Sequence, residues 1–384
     1  MNSMYATMPV SIFETMSLAS ARHGAVNLGQ GFPDFGWPEP LLDEAARLLR
    51  EGSNQYPPSR GLASLRTAIA AHYGRHQGLT LTAENILVTS GATEAIAATI
   101  LALVEDGDEV VVMTPAYDAY APMVRRAGGR LREVALRPPL WRIERAALDA
   151  AIGPATRLLI LNNPHNPTGR LFDQEELEII ADVARANDLL VLSDEVWEHV
   201  LLGSSHFTAL AALPDMFGRV LKFGSAGKMY SLTGWKVGWL VGPPALVETI
   251  AKAHQYLTFA TPPNLQGAVA FALDEGDHWL EPMRAAFTRA RDRLTAGLET
   301  AGYSLLPSAA TYFQCVDLAA SGIDLDDLSF ADNAVAHAGV AVIPLSPFSQ
   351  SEPVTTMIRL CFAKRDETID AGIAALAKAK AKSC

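Results

Sequence analysis

Lys228 sits in the run Phe223-Gly224-Ser225-Ala226-Gly227-Lys228-Met229-Tyr230-Ser231, and Lys236 follows eight positions later, after Thr233-Gly234-Trp235. Lysine normally goes to solvent, and in isolation this pair would read as two solvated residues flanking a turn. The setting argues otherwise. The pair follows the apolar residues Val220, Leu221 and Phe223, and a loop of Gly, Ser and Ala leaves room for a bulky group to approach the chain. An amine held out of water there loses its proton more readily, and a neutral amine forms an imine with an aldehyde or ketone.

Two further stretches supply complementary groups. Residues 162–169 read Asn-Asn-Pro-His-Asn-Pro-Thr-Gly, rigid turns that present the Asn166 amide, and residues 189–197 form an apolar strand ending at Asp194 and running on through Glu195-Val196-Trp197. Open parallel sheets bind ligands at their carboxyl edge, so an acid at such a strand end is well placed for chemistry. Pyridoxal 5'-phosphate needs these three groups: a lysine for its aldehyde, a carboxylate to keep its ring nitrogen protonated, and a donor for its phenolic oxygen. A strand over 85–90 leads into Gly91-Ala92-Thr93-Glu94 and a helix, where free backbone N–H groups and the helix dipole make an anion site. That loop alone would also suit a nucleotide, but the chain carries neither the Gly-rich dinucleotide fingerprint nor a Walker lysine.

With these segments in this order, the chain resembles the class I/II aminotransferases, pyridoxal-phosphate enzymes of fold type I, and within them the kynurenine, glutamine and methionine aminotransferases. The resemblance covers residues 26–363. It rests on Asn27-Leu28-Gly29-Gln30-Gly31-Phe32-Pro33-Asp34, Asn54-Gln55-Tyr56, Ser90-Gly91-Ala92-Thr93, the Asn-Pro-His-Asn-Pro-Thr-Gly block, Asp194-Glu195-Val196, the Lys228 loop and Ile358-Arg359-Leu360.

The resemblance implies a role for each residue. Lys228 holds the cofactor as an imine and then moves the substrate's α-proton, with Asp194 beneath the ring nitrogen. Ala92, Thr93, Ser225 and Lys236 meet the phosphate, and Tyr56 reaches the phosphate of a neighbouring subunit. Tyr117 stacks on the ring, Asn166 donates to the phenolic oxygen and touches substrate, Gly31 lies beside the substrate carboxylate, and Phe259 lines the neighbour's substrate pocket. Arg359 lies inside an apolar strand, where a structural salt bridge and a two-pronged grip on a carboxylate fit equally. The resemblance favours the grip. One departure stands out: after Asp-Glu-Val the relatives usually carry tyrosine, whereas this chain has Trp197, whose indole N–H donates one hydrogen bond but neither accepts nor ionises.

The elements that must position these groups are legible in outline. From residue 85, seven strand-like segments (85–90, 109–113, 131–136, 157–161, 189–192, 219–224 and 237–241) alternate with helical patterns, which predicts a doubly wound α/β domain. Helices are predicted over 40–51, 61–76, 175–187, 244–256 and 279–301, and further strands near 312–316, 340–343 and 357–362. The expected fold is thus a PLP-dependent transferase of fold type I: a seven-stranded, mostly parallel sheet in a large domain (36–275), a smaller α+β domain (276–384), and an N-terminal arm (1–35) packed with the small domain.

At 384 residues, 49% of them apolar, the chain is long enough for two domains and a large core. Its balance of 31 basic and 42 acidic residues, net −11, with no basic cluster interleaved with aromatics, argues against a nucleic-acid partner. Cys315, Cys361 and Cys384 are scattered and odd in number, so a reducing compartment and no metal site are expected. Residues 1–16 lack a signal-like pattern and no apolar run is of spanning length, so the expected setting is the cytoplasm, away from membrane. The functional expectation is a ping-pong aminotransferase, a homodimer with shared active sites, that acts on an amino acid and a 2-oxo acid. The donor is expected to be apolar, aromatic, sulfur-containing or glutamine-like. A carbon–sulfur β-lyase on cysteine conjugates uses the same apparatus and remains an alternative. A non-catalytic effector-binding module is the other, although 35 residues leave no room for the DNA-binding helices that usually accompany it.

Overall fold

The computed structural model describes residues 3–383. Its centre is a seven-stranded sheet of β1 (Ile86–Ser90), β2 (Glu109–Thr114), β3 (Arg130–Ala135), β4 (Thr156–Asn162), β5 (Leu190–Asp194), β6 (Val220–Ser225) and β7 (Val237–Val241), in the spatial order β1-β7-β6-β5-β4-β2-β3. β2, β3, β4, β5 and β6 pair in parallel, while β7 runs antiparallel to both its neighbours. All seven strands fall where the sequence places them.

Both faces are covered, which is why these strands read as continuous apolar runs. Val111, Met113, Leu159, Leu161, Val191 and Trp239 enter one buried cluster; Val110, Val112, Leu158, Ile160, Leu192 and Leu240 enter the other. The alternation follows from the two-residue period of a strand. The crossover helices include α1 (Ala92–Leu103) after β1 and α2 (Gln174–Ala186) before β5. Helix α2 opens on a reciprocal cap, in which the Asp173 side chain accepts from Glu176 N at 3.0 Å and Glu176 Oε2 accepts from Asp173 N at 3.0 Å.

A second, four-stranded sheet carries Phe313–Asp317 flanked by Met357–Cys361 and Ser304–Leu305, with Ile343–Pro344 at the far side of Met357–Cys361. Helices α3 (Leu280–Thr300) and α4 (Asp366–Ser383) pack on it. One expectation is corrected here. The single strand predicted over 340–343 is two strands in different sheets: Val340–Ala341 pairs in parallel with Val26–Asn27, and Ile343–Pro344 joins Met357–Cys361. Four consecutive apolar residues carry no mark of where the chain changes partner, so periodicity alone cannot divide them. The same ladder draws the N-terminal segment in, and Met16 and Leu28 share a buried cluster with Phe330, Val340 and Leu376.

The sheet tolerates no added atoms beneath β6. A Cβ on Gly224 would lie 2.1 Å from Trp239 Nε1 and 2.6 Å from Tyr73 Oη, which are themselves joined by a 2.8 Å hydrogen bond. Gly224→Ala is therefore expected to destabilise the protein by about 1–3 kcal/mol, read as a lower midpoint in urea unfolding. An unchanged midpoint would mean that β6 is loosely packed.

Candidate active site

The site forms where four strand ends meet. In the parallel register Asn162 stands opposite Asp194, and Asp194 opposite Phe223, so the carboxyl ends of β4, β5 and β6 lie side by side. Because β7 runs in reverse, its amino end reaches the same edge, with Val237 opposite Ser90 and Gly238 opposite Ser225. That reversal places Lys236 beside the Gly91 turn, while Lys228 comes to the same edge on the helical turn Ala226–Met229 that follows β6. A cavity of about 220 Å³ opens here, lined by Ala92, Thr93, Tyr117, Asn166, Asp194, Trp197, Ser225, Lys228 and Lys236, all expected from sequence, together with Gly91, Asn162 and Thr233.

At the phosphate-like end, Gly91 takes φ +76°, a left-handed conformation that suits glycine, and the Lys236 amine lies 3.2 Å from where a Cβ on Gly91 would stand. Helix α1 begins next, with no side-chain cap at Gly91, so its first N–H groups remain for a ligand. Glu94 accepts from Ser90 N and ties the turn down.

Asp194 is 5% exposed, with Oδ2 accepting from the Tyr120 hydroxyl at 2.5 Å and Oδ1 from Val196 N at 3.4 Å. Burial pushes its carboxyl up; Tyr120, Val196 and the charges of Lys228 and Lys222 only partly offset this. Among the described residues it has no ion-pair partner, and a cationic ring nitrogen in the cavity would supply one. Tyr120 was not anticipated. Its only signal is its position three residues after Tyr117, which it meets edge to face at 5.6 Å.

Lys228 is only partly open to the cavity. Desolvation dominates its titration, and with the charges of Arg359 and Lys236 it brings the amine down to about 8 against the opposing pull of Cys361 and Asp194. At neutral pH roughly a tenth of such an amine is uncharged, far more than for a solvated lysine. Its Nζ lies 3.2 Å from the Tyr312 hydroxyl and 4.7 Å from the centre of the Trp197 ring. Trp197, 3% exposed, thus offers its π face to the amine, packed edge to face on Tyr312 at 4.5 Å. Tyr312 is the second residue missed. Its hydroxyl donates to Gly31 O at 2.6 Å, but in sequence it is one aromatic in a core strand and nothing marks the hydroxyl.

Arg359 is 1% exposed and forms no ion pair with any described residue. Its Nη1 donates to Asn166 Oδ1 at 2.8 Å, its Nη2 to Gly29 O at 3.1 Å, and its Nε has no partner. The ring of Phe313 stacks against the guanidinium at 3.8 Å, and desolvation lowers its pKa to about 10. The structural salt bridge left open by the sequence is therefore absent. Since Asn166 Oδ1 accepts from Arg359 and its backbone N–H donates to Asn162 Oδ1 at 2.8 Å, the Asn166 amide nitrogen is left for a ligand. Gly31 stands beside this group, where a Cβ would come within 2.8 Å of the Phe313 ring. Tyr56 and Phe259 lie outside the cavity, 88% and 43% exposed, in edge-to-face contact at 5.7 Å.

These groups fit pyridoxal phosphate: an amine of lowered pKa, a buried acid short of a cation, and a helix N-terminus with a lysine beside it. A family model for aminotransferase class I and II matches residues 24–376. The chain is 42% identical over 381 residues to a probable N-succinyldiaminopimelate aminotransferase of Mycobacterium tuberculosis, covering 96% of this chain and 95% of that one. It is 39% identical over 361 residues to the methionine aminotransferase of Escherichia coli, covering 94% and 93%. The solved structure of the M. tuberculosis N-succinyldiaminopimelate aminotransferase superposes with a TM-score of 0.96, covering 99% of this chain and 100% of that one at 42% identity. The chain belongs to the class I and II aminotransferase family, and is a pyridoxal-phosphate-dependent aminotransferase of fold type I.

The loops around the site are joined by one histidine ring. His254 Nδ1 faces Glu94 Oε1 at 2.7 Å and its Nε2 faces Ser59 O at 2.8 Å, both acceptors, and Glu94 Oε1 also accepts from Thr258 at 2.7 Å. Burial disfavours the doubly protonated ring, but Glu94 and the carbonyls of Ser59 and Phe259 outweigh it, and the pKa is raised above 6.5. A raised folded-state value stabilises the fold fully below the unfolded pKa, and this is lost as pH rises through the folded one. The stability gap between wild type and His254→Gln should therefore be widest below pH 6.5 and shrink as pH rises through the raised folded-state value. A gap constant across that range in thermal unfolding would show that the ring is neutral.

Proposed function

We propose that the enzyme transfers the amino group of an apolar, aromatic or sulfur-containing L-amino acid to a 2-oxo acid, and that Arg359 anchors the substrate's α-carboxylate. The observation that carries this reading is a wholly buried guanidinium with an orphan Nε and no acidic partner, surrounded by the rings of Phe13, Phe313 and Phe348. Leaving a buried charge unpaired is costly, and a substrate carboxylate removes the cost with two parallel hydrogen bonds. Arg359 lies just behind the cavity wall, bonded to Asn166, and the cations that line the cavity itself are Lys228 and Lys236, so a second carboxylate on the substrate side chain finds no further counter-charge among the lining residues.

The shared lining of the cavity supports roles for the remaining residues. Ala92, Thr93, Ser225 and Lys236 would hold the phosphate, Asp194 would hold the ring nitrogen in its protonated form, and Tyr117 would lie against the ring. Bound pyridoxal phosphate supplies an electrophilic aldehyde carbon and an electron-withdrawing ring. Lys228 Nζ would hold that aldehyde carbon at rest and, once displaced by the donor's amine, would carry the donor's α-proton to the same carbon; with a 2-oxo acid it would carry a proton back in the opposite direction. Asn166 is oriented by Asn162 and Arg359 and turns its amide nitrogen to the phenolic oxygen. We further propose a division into arm (1–35), large domain (36–275) and small domain (276–384), supported by the buried cluster shared by the arm and the C-terminal elements. The exposed rings of Tyr56, Tyr256 and Phe259 support a homodimer in which Tyr56 and Phe259 complete the neighbour's site. A reducing, cytoplasmic setting accords with two buried free cysteines; no helix among the described residues is long and apolar enough to cross a membrane.

Purified holoenzyme mixed with single amino donors while its absorbance is followed tests the substrate assignment. Methionine and kynurenine should convert it to the aminated form, and Arg359→Ala should lower kcat/KM at least about thirtyfold. A clear preference for N-succinyldiaminopimelate would overturn the apolar-donor reading. Release of pyruvate and ammonia from a cysteine conjugate, with no aminated form, would overturn transamination itself.

Tyr312→Phe removes the hydroxyl at the Lys228 amine while keeping the ring packed. The pH midpoint of the holoenzyme's spectral titration should move by about half a unit or more, the scale of one lost hydrogen bond. An unmoved midpoint would reduce Tyr312 to a packing residue.

A further inference from the structure

Away from the cofactor cavity, the helix Ala63–Gln77 carries His72 and His76 one turn apart on the same face. Asp277 meets them from the short turn Asp277–Trp279 that leads into α3, with Oδ1 2.8 Å from His76 Nε2. One ligand atom from each of His72, His76 and Asp277 lies within 4.8 Å of the other two. The rings of His72 and His76 are 4.3 Å apart, and His72 is 2% exposed. Behind it, His199 Nε2 faces His72 Nε2 at 2.9 Å, while Arg284 Nε donates to His199 O at 3.0 Å. A groove of about 810 Å³ lined by His76, Asp277, Glu281 and Arg284 leads in from solvent.

We propose that His72, His76 and Asp277 bind a divalent transition-metal ion of the zinc class, with His199 as the positioning residue that fixes the His72 ring. Imidazole nitrogens joined by one carboxylate oxygen suit borderline cations such as Zn²⁺ and Co²⁺; an all-oxygen site would suit Mg²⁺ or Ca²⁺. Two histidines at i and i+4 are already preset by the helix, so one ligand from elsewhere in the chain completes a three-point hold with a position open to water. Metal-ligating histidines usually have their rings fixed by a further partner, and His199 meets that need from the inside while the groove admits the ion from the outside. The ion would join a helix packed against the large sheet to the turn at the head of α3, where Trp279 and Leu280 pack in the same cluster as that helix, while Phe287 and Leu294 farther along α3 lie in the C-terminal cluster. It would therefore pin the head of α3 to the large-sheet side. His199 follows Trp197 by two residues, so the same ion also braces the loop that leaves the cofactor cavity.

The test uses untagged holoenzyme, stripped with a chelator, checked for unchanged cofactor absorbance, and titrated with Co²⁺. About one cobalt per chain should bind and survive desalting, with visible ligand-field bands that Zn²⁺ abolishes, and the thermal midpoint should rise by a few degrees. His76→Ala and Asp277→Asn both change exposed side chains and should fold normally; each should lose the bands and the thermal shift, whereas the adjacent His278→Ala should keep both. Failure to bind cobalt at stoichiometric level, binding retained in the double variant H76A/D277N, or binding lost in His278→Ala would each overturn the site.

Discussion

The arrangement depends on keeping a lysine amine and an acid out of water at one edge of a sheet without letting them neutralise each other as a simple ion pair. Asp194 ends β5 and Lys228 follows β6, in strands whose register is fixed. The pressure of burial runs opposite ways on the two groups, upward on the carboxyl and downward on the amine. Each is thus held away from its solution behaviour, the acid wanting a cation and the amine close to losing its proton. A ligand with a basic ring nitrogen and an aldehyde relieves both. The fold supports this from below with a buried ionic group: Lys222 on β6 meets Glu195 and, at 2.5 Å, Glu198, and Glu198 also accepts from Tyr73 at 2.8 Å. The strand leading to the reactive lysine is thereby pinned to the loop just beyond the acid.

Arg359 obeys the same rule behind the cavity wall, against Asn166. Its strand brings a guanidinium into a wholly buried place and the fold supplies two carbonyl-type acceptors and three aromatic rings, but no acid. Such a side chain is stabilised enough to fold and left short of enough to bind. Its bond to Asn166 also couples the two halves of the chemistry, because the amide that would touch the cofactor is oriented by the group that would hold the substrate.

Much of this was legible in the sequence because it is local. Lys228 follows its strand, on the one-turn helix Ala226–Met229 where the sequence suggested a loop, Asp194 ends its strand, and Gly91-Ala92-Thr93 opens its helix; each is marked by composition within ten residues. The seven strands were legible for the same reason, as short apolar runs with turn residues between them. What escaped is non-local. Tyr120 and Tyr312 act through hydroxyls whose partners lie 74 and 84 residues away, and a tyrosine in an apolar segment looks the same whether its oxygen is used or not. His72 and His76 have ligand spacing, yet Asp277 joins them only in the fold. The divided strand at 340–343 escaped because the exchange of sheets leaves no trace in residue type.

The substrate side chain is harder to read than the reaction, and the distribution of the wall residues says why. The anchor and the reactive amine come from buried, regular elements, whereas Tyr56 and Phe259 sit on loops with much of their rings in water. Burying a ring of that size contributes about 1.5–3 kcal/mol, so a second copy laid over this surface would gain stability. In the proposed dimer the reacting end of the pocket would be fixed within one chain and the selecting end shared between two. Such a division accords with solved relatives of nearly the same fold that bear the names of different amino donors.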